Sequence, residues 1–202
     1  MKIGILISGR GSNMRALMEA AQAGKIPGAE FVVVLSDQAN ATGLVIARER
    51  GVETVVVERG SRKRVEHDGE IIAALKAHQV ELVCLAGYMR LLSPDFIAAF
   101  AGNILNIHPS LLPSFPGLQV QRKALEHGVK FAGCTVHFVD ESLDWGPIIA
   151  QAVVPVLDDD TEESLTARIL VEEHRLYPQA LALIASGNFR IEGRRVIARD
   201  NG

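Results

Sequence analysis

Short apolar runs rich in Val, Ile and Leu alternate with segments of helical periodicity through the first half of this chain. Runs that are apolar at every position are typical of parallel strands, because helices cover both faces of a parallel sheet. The sequence therefore predicts an α/β fold of order βαβαβαβαβ, with a mostly parallel central sheet and helices on both faces. The strands are expected at residues 3–7, 31–35, 52–57, 82–86 and 104–107, and the helices at residues 13–23, 42–50, 62–78 and 94–100.

The pattern changes after Pro109 and Pro113, where two further apolar runs are joined by a short polar loop. A strand, a polar loop and a second strand favour antiparallel pairing, so antiparallel strands are expected in the C-terminal part. With no linker or repeat, we expect a single domain over residues 1–202. The remaining elements are expected to be a helix at 121–127, strands at 135–139 and 148–156, a helix from Thr161 to about 185, and a hairpin with strands at 189–191 and 195–197.

Composition and charge exclude several classes of protein. Cys84 and Cys134 lie in apolar stretches without CxxC spacing, so both are expected to be reduced core residues of a cytoplasmic protein. A formal net charge of −3 argues against broad binding to nucleic acid, and four arginines near the C-terminus are interpreted as a solvated hairpin.

No run is long enough to cross a bilayer, and residues 3–7 are interpreted as a first strand, not as a signal peptide. No metal site is predicted, because the six histidines show no ligand spacing.

A glycine turn, Gly9-Arg10-Gly11-Ser12-Asn13, follows the first expected strand and opens the first helix. Free backbone N–H groups and the positive end of a helix dipole meet in such a turn, which makes it a seat for a phosphate. Met14 occupies the position of the third glycine in the dinucleotide-binding pattern GxGxxG, so a monophosphate ester fits better than a pyrophosphate. The alternative is a turn that only reverses the chain.

Asn106 and His108 end the fifth expected strand, and Pro109 and Pro113 then restrict the backbone. Residues two apart on a strand point to the same side, so both side chains can reach one substrate atom. An amide donor beside an imidazole suits a reaction that builds negative charge on oxygen and moves a proton. The alternative is an ordinary strand end followed by a turn.

The chain closely resembles the folate-dependent formyltransferases. The resemblance rests on the glycine turn, the segment Asn106-Ile107-His108-Pro109-Ser110-Leu111-Leu112-Pro113 and the segment Leu143-Asp144-Trp145-Gly146-Pro147. The glycine turn narrows the resemblance to members that act on a phosphoribosyl amide. The resemblance implies a Rossmann-like formyltransferase fold. It also implies formyl transfer from the co-substrate 10-formyltetrahydrofolate to the amine of a phosphoribosylglycinamide, in purine synthesis.

The resemblance also implies residue roles. Asn106 would donate a hydrogen bond to the oxyanion, and His108 would stabilise the same charge and act as general acid. Asp144 would favour the protonated form of His108 and help carry the proton through water, although an Asp before Trp-Gly-Pro can be a simple turn former. The implied phosphoribosylglycinamide site is Gly11, Ser12, Asn13, Leu170, Val171, Glu172 and Glu173. The implied folate site is Arg64, Met89, Arg90, Leu91, Leu92, Asn106, Asp140, Glu141, Ser142, Leu143 and Asp144.

Several alternatives stay open at this point. Arg64 can be an exposed basic helix start, and Glu172 and Glu173 can be a solvated helix face. Trp145, where a small residue is common, can stiffen or reshape the folate loop, and His137 is interpreted as structural.

The rival functions are a formyltetrahydrofolate deformylase or another folate-dependent formyltransferase. A different class is a non-catalytic nucleotide-binding or NAD-binding domain that uses Gly9, Gly11 and Asp37, against which Met14 speaks. The expected partners are small molecules, and the chain is expected to be a monomer or a homodimer.

Overall fold

The structure is a computed structural model that describes residues 1–199, and an α/β arrangement fills this range. The long helix α6 begins at a capping box in which the Thr161 side chain accepts from Ser164 N and ends at Gly187 in a left-handed conformation. The elements in chain order are β1 Lys2–Ile7, α1 Ser12–Gln22, β2 Glu30–Ser36, α2 Thr42–Glu49, β3 Glu53–Val56, α3 Arg64–Ala77, β4 Leu82–Leu85, α4 Pro94–Ala99, β5 Ile104–His108, α5 Val120–Glu126, β6 Phe131–Phe138, β7 Ile148–Pro155, α6 Glu162–Ser186, β8 Phe189–Glu192 and β9 Arg195–Ala198.

All the strands within residues 1–199 join one sheet, in the order β3-β2-β1-β4-β5-β6-β7-β9-β8. Strands β1 to β5 pair in parallel, whereas β6 is antiparallel to both β5 and β7. The predicted fold class, with a mostly parallel sheet and antiparallel C-terminal strands, is therefore confirmed. The expected domain extended to residue 202, and residues 200–202 lie outside the described residues, so the single-domain assignment stays a prediction.

Two elements begin two or more residues away from the position that the sequence predicted, and each has a physical reason. Strand β6 begins at residue 131 instead of 135 and includes Gly133, a poor strand former that is needed because a Cβ there would lie 1.9 Å from the Ala152 carbonyl oxygen. Helix α3 begins two residues later than expected, because the Glu66 carboxylate accepts the Lys63 N–H at 3.0 Å and fixes the first turn there.

Each face of the sheet carries a hydrophobic cluster. The first cluster includes Leu105 and Ile107 of β5 and residues of α1 and α6. The second includes Ile104 of β5 and residues of α3 and α4. Cys84 and Cys134 are buried and unpaired in the first cluster, and burial raises the pKa of both thiols to about 12, as expected for inert core residues.

Tyr177 of α6 fixes this helix to the centre of the sheet. Its hydroxyl lies 3.2 Å from the carbonyl oxygens of both Leu85 in β4 and Leu105 in β5, and its ring is fully buried. Glu173 lies one helical turn earlier, so the same contact fixes where its carboxyl stands relative to β5.

The carboxyl ends of β1, β4 and β5 lie at one edge of the sheet, where the strand order reverses between β1 and β4. Ligands of open α/β sheets bind in the crevice at such a point. The loop after β4 is attached to the end of β1, because Ser8 N donates to the Gly87 carbonyl at 3.1 Å and Met89 N donates to Ser8 Oγ at 3.0 Å. Within residues 1–199, no helix is long and apolar enough to span a membrane.

Candidate active site

Asn106 and His108 lie on the same face of β5, the face from which Ile104 enters the second cluster. Asn106 is the cross-strand partner of His137 in β6, and its Nδ2 lies 3.2 Å from Nε2 of that imidazole. His137 Nδ1 lies 2.8 Å from the Phe138 carbonyl oxygen, which can only accept, so Nδ1 carries the proton and Nε2 accepts from Asn106. One N–H of the Asn106 amide is thus held by His137, and the other stays available to a substrate oxygen.

His137, interpreted as structural from the sequence, contacts two of the predicted catalytic residues through its ring. Nε2 lies 3.2 Å from Asn106 Nδ2 and 3.8 Å from Asp144 Oδ1. Burial lowers the pKa of His137, which favours the neutral ring that can accept from Asn106. Sequence reasoning could have found this contact only from the register of β5 and β6, which fixes Asn106 opposite His137.

His108 is buried and is held from both sides of its ring. Nε2 donates to the Phe115 carbonyl oxygen at 3.0 Å, and Nδ1 faces Asp144 Oδ2 at 3.6 Å. Asp144 in turn accepts the Gly117 N–H at 2.8 Å and adopts φ +50°, a left-handed conformation that few non-glycine residues take. The three predicted catalytic side chains therefore form one cluster, in which a carboxylate stands beside an imidazole and an amide.

The predicted phosphate turn has the geometry that anion binding requires. Gly11 adopts φ +68° and is the N-cap of α1, and among residues 1–199 no side-chain cap bonds the first N–H groups of this helix. A Cβ on Gly11 would lie 2.9 Å from the Gly43 Cα, so a larger residue does not fit without a shift. The turn and His108 sit at the same edge of the sheet, two strands and therefore about 10 Å apart.

Asn13 and Glu173 form a buried pair between α1 and α6. Asn13 Nδ2 donates to Glu173 Oε2 at 2.7 Å, while Asn13 Oδ1 has no partner among the described residues. Burial raises the pKa of Glu173 to about 7, and the hydrogen bond from Asn13 opposes part of that shift. Two buried acceptors in one place favour a ligand that brings N–H or O–H donors.

The remaining residues of the predicted phosphoribosylglycinamide site on α6 do not all turn toward this pair. The Val171 side chain is 67% exposed, and Glu172 pairs with Arg175 at 2.5 Å. Leu170 is half-buried. Of the four residues expected from α6, Glu173 is the one that contacts Asn13.

The residues expected to bind the folate lie around the same edge of the sheet and differ in their exposure to solvent. Met89 and Leu91 expose their side chains, Leu92 is buried in the second cluster, and Arg64 is exposed at the start of α3. In the loop 140–144, Ser142 N donates to Asp140 Oδ1 at 2.9 Å, and Glu141 and Leu143 are exposed. Leu92 can therefore offer only backbone atoms to a ligand unless its side chain leaves the core.

Arg90 is engaged with Asp37, a contact that sequence reasoning did not anticipate. Its Nε lies 2.5 Å from Asp37 Oδ2, and the carboxylate is buried. Burial opposes ionisation of Asp37, but hydrogen bonds from Ser8, Arg90 and Gln38 hold its pKa below the ordinary value. Asp37 is therefore not free to bind a ribose in the way that the NAD-binding alternative requires.

Glu173→Gln provides a test of the buried carboxyl. A folded-state pKa of about 7 against an ordinary 4.5 means that the folded protein binds more protons between these values, so this carboxyl costs stability as the pH rises from 4.5 to 7. Glutamine keeps the bond from Asn13 and does not titrate. We expect the free energy of unfolding of the variant, relative to the parent, to gain roughly 3 kcal/mol between pH 4.5 and pH 8. Urea denaturation at several pH values without ligand measures this change.

Glu172→Gln on the neighbouring position is the matched control, because Glu172 is partly exposed and paired with Arg175. A difference between Glu173→Gln and the parent that stays constant with pH contradicts the raised pKa.

The fold and the cluster are those expected of a group-transfer enzyme, because an amide donor, an imidazole and a carboxylate converge at the sheet edge that also holds the glycine turn. The family model described as formyl transferase matches residues 1–181, and the chain belongs to this family. The resemblance to formyltransferases noted from the sequence is therefore confirmed.

Relatives of named function match nearly the whole chain. The phosphoribosylglycinamide formyltransferase of Escherichia coli strain K12 is 43% identical over 192 residues, which are 95% of this chain and 90% of that protein. The trifunctional purine biosynthetic protein adenosine-3 of Drosophila melanogaster is 47% identical over 188 residues, which are 92% of this chain, but the chain spans only 14% of that protein.

Solved structures show the same pattern. The glycinamide ribonucleotide transformylase 1 of Symbiobacterium toebii is 53% identical with a TM-score of 0.96, and the match covers 99% of this chain and 94% of that chain. A formyltetrahydrofolate deformylase of Pseudomonas syringae is 25% identical with a TM-score of 0.92, and the match covers 66% of that longer chain.

Proposed function

We propose that this protein transfers a formyl group from 10-formyltetrahydrofolate to the amine of N1-(5-phospho-D-ribosyl)glycinamide, in the de novo synthesis of purine nucleotides. The products are the N-formyl compound and tetrahydrofolate. The observation that carries the proposal is the cluster of Asn106, His108 and Asp144 at the sheet edge that also holds the glycine turn. The relatives at 43% and 53% identity, a phosphoribosylglycinamide formyltransferase and a glycinamide ribonucleotide transformylase, support the same substrates.

The phosphoribosyl end of the substrate binds at the start of α1. Backbone N–H groups of Ser12 and Asn13 and the dipole of an eleven-residue helix attract the phosphate. Glu173 and the unpartnered Asn13 Oδ1 accept hydrogen bonds from the ribosylglycinamide. With the phosphate anchored there, the amine reaches across β4 toward the end of β5.

The reaction forms one C–N bond and breaks another. The amine nitrogen attacks the formyl carbon, the carbonyl oxygen becomes negative, and the bond from the carbon to the folate nitrogen then breaks. The free N–H of Asn106 donates to the negative oxygen, held in place by the second N–H on His137. His108 supplies the positive charge and the proton that the leaving nitrogen needs, and the proton lost by the amine restores it.

His108 can play this role because its ring has a fixed orientation. The Phe115 carbonyl holds Nε2–H, so Nδ1 is the nitrogen that faces Asp144 and exchanges protons. The Asp144 carboxylate faces the ring at 3.6 Å and can pass the proton through water. Because Asp144 is itself held by Gly117 N–H, the relay does not depend on a mobile carboxylate.

The folate binds on the side of the cluster formed by residues 89–92 and 140–144. Exposed apolar side chains of Met89, Leu91 and Leu143 offer surface for a ring system, and this supports a folate-type co-substrate. Arg64, exposed at the start of α3, can attract the anionic glutamate of the folate. We propose further that the enzyme acts on small molecules in the cytoplasm and is active as a monomer or a homodimer.

An absorbance assay of tetrahydrofolate formation with the phosphoribosylglycinamide present or omitted tests the proposal. Turnover is expected only when the amine is present. The deformylase alternative, which the similarity in fold to a deformylase keeps open, predicts turnover without the amine, because water is then the nucleophile. Release of free formate in the absence of amine, at the full rate, contradicts the transferase.

Gly11→Ala tests where the phosphate binds. The new Cβ would lie 2.9 Å from the Gly43 backbone, and the alanine would have to adopt φ +68°. The turn should therefore deform, and its N–H groups should lose the geometry that binds an anion. We expect KM for the phosphoribosyl substrate to rise at least about tenfold, while KM for the folate changes less than about twofold. Steady-state kinetics with each substrate varied in turn measures both constants.

Gly51→Ala is a matched control, because Gly51 adopts φ +72° but has nothing within 4 Å of a Cβ and lies outside the site. It carries the same backbone strain and should leave both KM values unchanged. Equal increases of both KM values in Gly11→Ala would mean that the phosphate binds elsewhere.

A further inference from the structure

Trp145 follows Asp144 directly, and its indole ring is covered on one face by the C-terminal hairpin. The Arg194 guanidinium carbon lies 3.8 Å from the centre of this ring, within the range of a cation–π contact. The Trp145 side chain is otherwise 51% exposed. Arg194 belongs to the group of arginines that the sequence indicated as a solvated hairpin, and the structure gives one of them a specific partner.

The hairpin contacts the same segment through its backbone as well. The Arg194 carbonyl oxygen accepts from Ile148 N at 3.2 Å, and Arg195 is paired with Ile148 where β9 meets β7. Arg194 therefore touches the chain on both sides of Gly146-Pro147, once by its side chain and once by its carbonyl. Gly146 itself lies against β6, because a Cβ there would be 1.9 Å from the Phe138 carbonyl oxygen.

Asp144 needs such support because its backbone is in an unfavourable conformation. A non-glycine residue at φ +50° costs free energy, and it persists only when its surroundings determine it. Gly117 N–H holds the Asp144 carboxylate from one side, but Glu141, Ser142 and Leu143 on the other side are exposed. The next residue along the chain, Trp145, is thus the place where the backbone of Asp144 can be restrained.

We infer that Arg194 is a positioning residue of the active site, which acts through Trp145 to keep the Asp144 carboxylate toward His108. Arg194 touches neither substrate nor the reacting atoms. The stack on Trp145 and the bond to Ile148 restrain the 140–147 loop, and the restraint keeps Asp144 Oδ2 at the 3.6 Å distance from His108 Nδ1. The inference rests on the proposed role of Asp144 in formyl transfer.

Trp145 is the only tryptophan of the chain, so its fluorescence reports on this loop without interference. In Arg194→Ala, the indole loses its cover, and we expect lower fluorescence anisotropy and a red-shifted emission in the absence of substrates. We expect kcat to fall about two- to fivefold, the size of effect that an exposed cation–π contact supports, with KM for the phosphoribosyl substrate unchanged. That KM is unaffected because Gly11–Asn13 and Glu173 lie on other elements.

Arg190→Ala is the matched control on the same hairpin, because Arg190 pairs with Glu192 and not with Trp145. It should leave fluorescence and kcat unchanged. Trp145→Ala and the double variant Trp145→Ala/Arg194→Ala complete a cycle, in which the double variant should be no slower than either single variant. Melting temperatures within about two degrees of the parent show that the effect is not general unfolding.

Two results would overturn the inference. One is a change in fluorescence without a change in kcat, which leaves the loop contact but removes its role for Asp144. The other is that Arg194→Ala lowers kcat by the same factor in the Trp145→Ala background as in the parent protein. A failure of the proposed function looks different, because the parent protein would then lack amine-dependent turnover while the fluorescence change in Arg194→Ala would still be seen.

Discussion

His108→Ala is expected to lower kcat by at least about a hundredfold, because it removes the group proposed to carry the proton to the leaving nitrogen. Binding of the phosphoribosyl substrate should survive, since Gly11 and Asn13 lie at the start of α1 and Glu173 lies on α6. The loop should also keep its shape, because the Phe115 carbonyl retains a bond from Ser110 Oγ at 3.1 Å. Steady-state kinetics gives kcat, and calorimetric titration with the phosphoribosylglycinamide gives the binding constant.

His78→Ala is a suitable control, because this imidazole follows α3 and pairs with Glu53 at the amino end of β3, opposite the carboxyl ends where the cluster lies. It should leave turnover unchanged. Near-normal turnover in His108→Ala would remove His108 from the mechanism, whereas loss of substrate binding together with turnover would indicate that the cluster supports the fold of the site instead.

Asn106→Ala is expected to lower kcat by about a hundred- to a thousandfold, the usual cost of removing one donor to a developing oxyanion. The amide is well placed for this role because His137 Nε2, at 3.2 Å, accepts one of its N–H groups and directs the other. Asn106→Asp should be at least as slow, because a carboxylate has no proton to donate and would stand beside Asp144. The measurement is kcat with both substrates saturating.

Asn103→Ala provides the control, because Asn103 is exposed just before β5 and its amide donates to the Ala101 carbonyl at 3.4 Å. It should change kcat less than about twofold. If Asn106→Asp retained most of the parent turnover, the donor role of this amide would be wrong.

Much of the fold could be predicted from local sequence, because apolar runs and helical periodicity depend on short segments. The order of the first nine elements and the position of the glycine turn are of this kind. The common side of Asn106 and His108 follows from the alternation of side chains along one strand. Such features need no knowledge of which strands become neighbours.

Contacts between distant segments could not be predicted in the same way. The bond from Asn106 to His137 depends on the register of an antiparallel pair, and a shift by one residue would turn His137 to the other face. The ion pair of Arg90 with Asp37 and the stack of Arg194 on Trp145 join residues that are 53 and 49 positions apart. No local pattern marks such partners, because each arises only when the chain has folded.

The exposure of the residues predicted to bind substrate could not be predicted from the sequence either. Four consecutive residues of α6 were expected to serve the phosphoribosyl substrate, and successive residues of a helix point about 100° apart, so their side chains face different directions. Glu173 turns inward to Asn13, and Val171 turns to solvent. A helix in a site should therefore be read in steps of three and four residues.

The phenol of Tyr177, in contact with carbonyl oxygens of β4 and β5, has a consequence for the catalytic distance between the two substrates. In the proposed reaction, the ribosylglycinamide is held by residues of α1 and α6 and the formyl group is polarised by residues of β5, so sliding of α6 against β5 would separate the nucleophile from the electrophile. The spacing of the reacting atoms thus depends on the buried Tyr177 hydroxyl, which touches no substrate. A substitution in the core, far from both ligands, can therefore change the rate of the reaction.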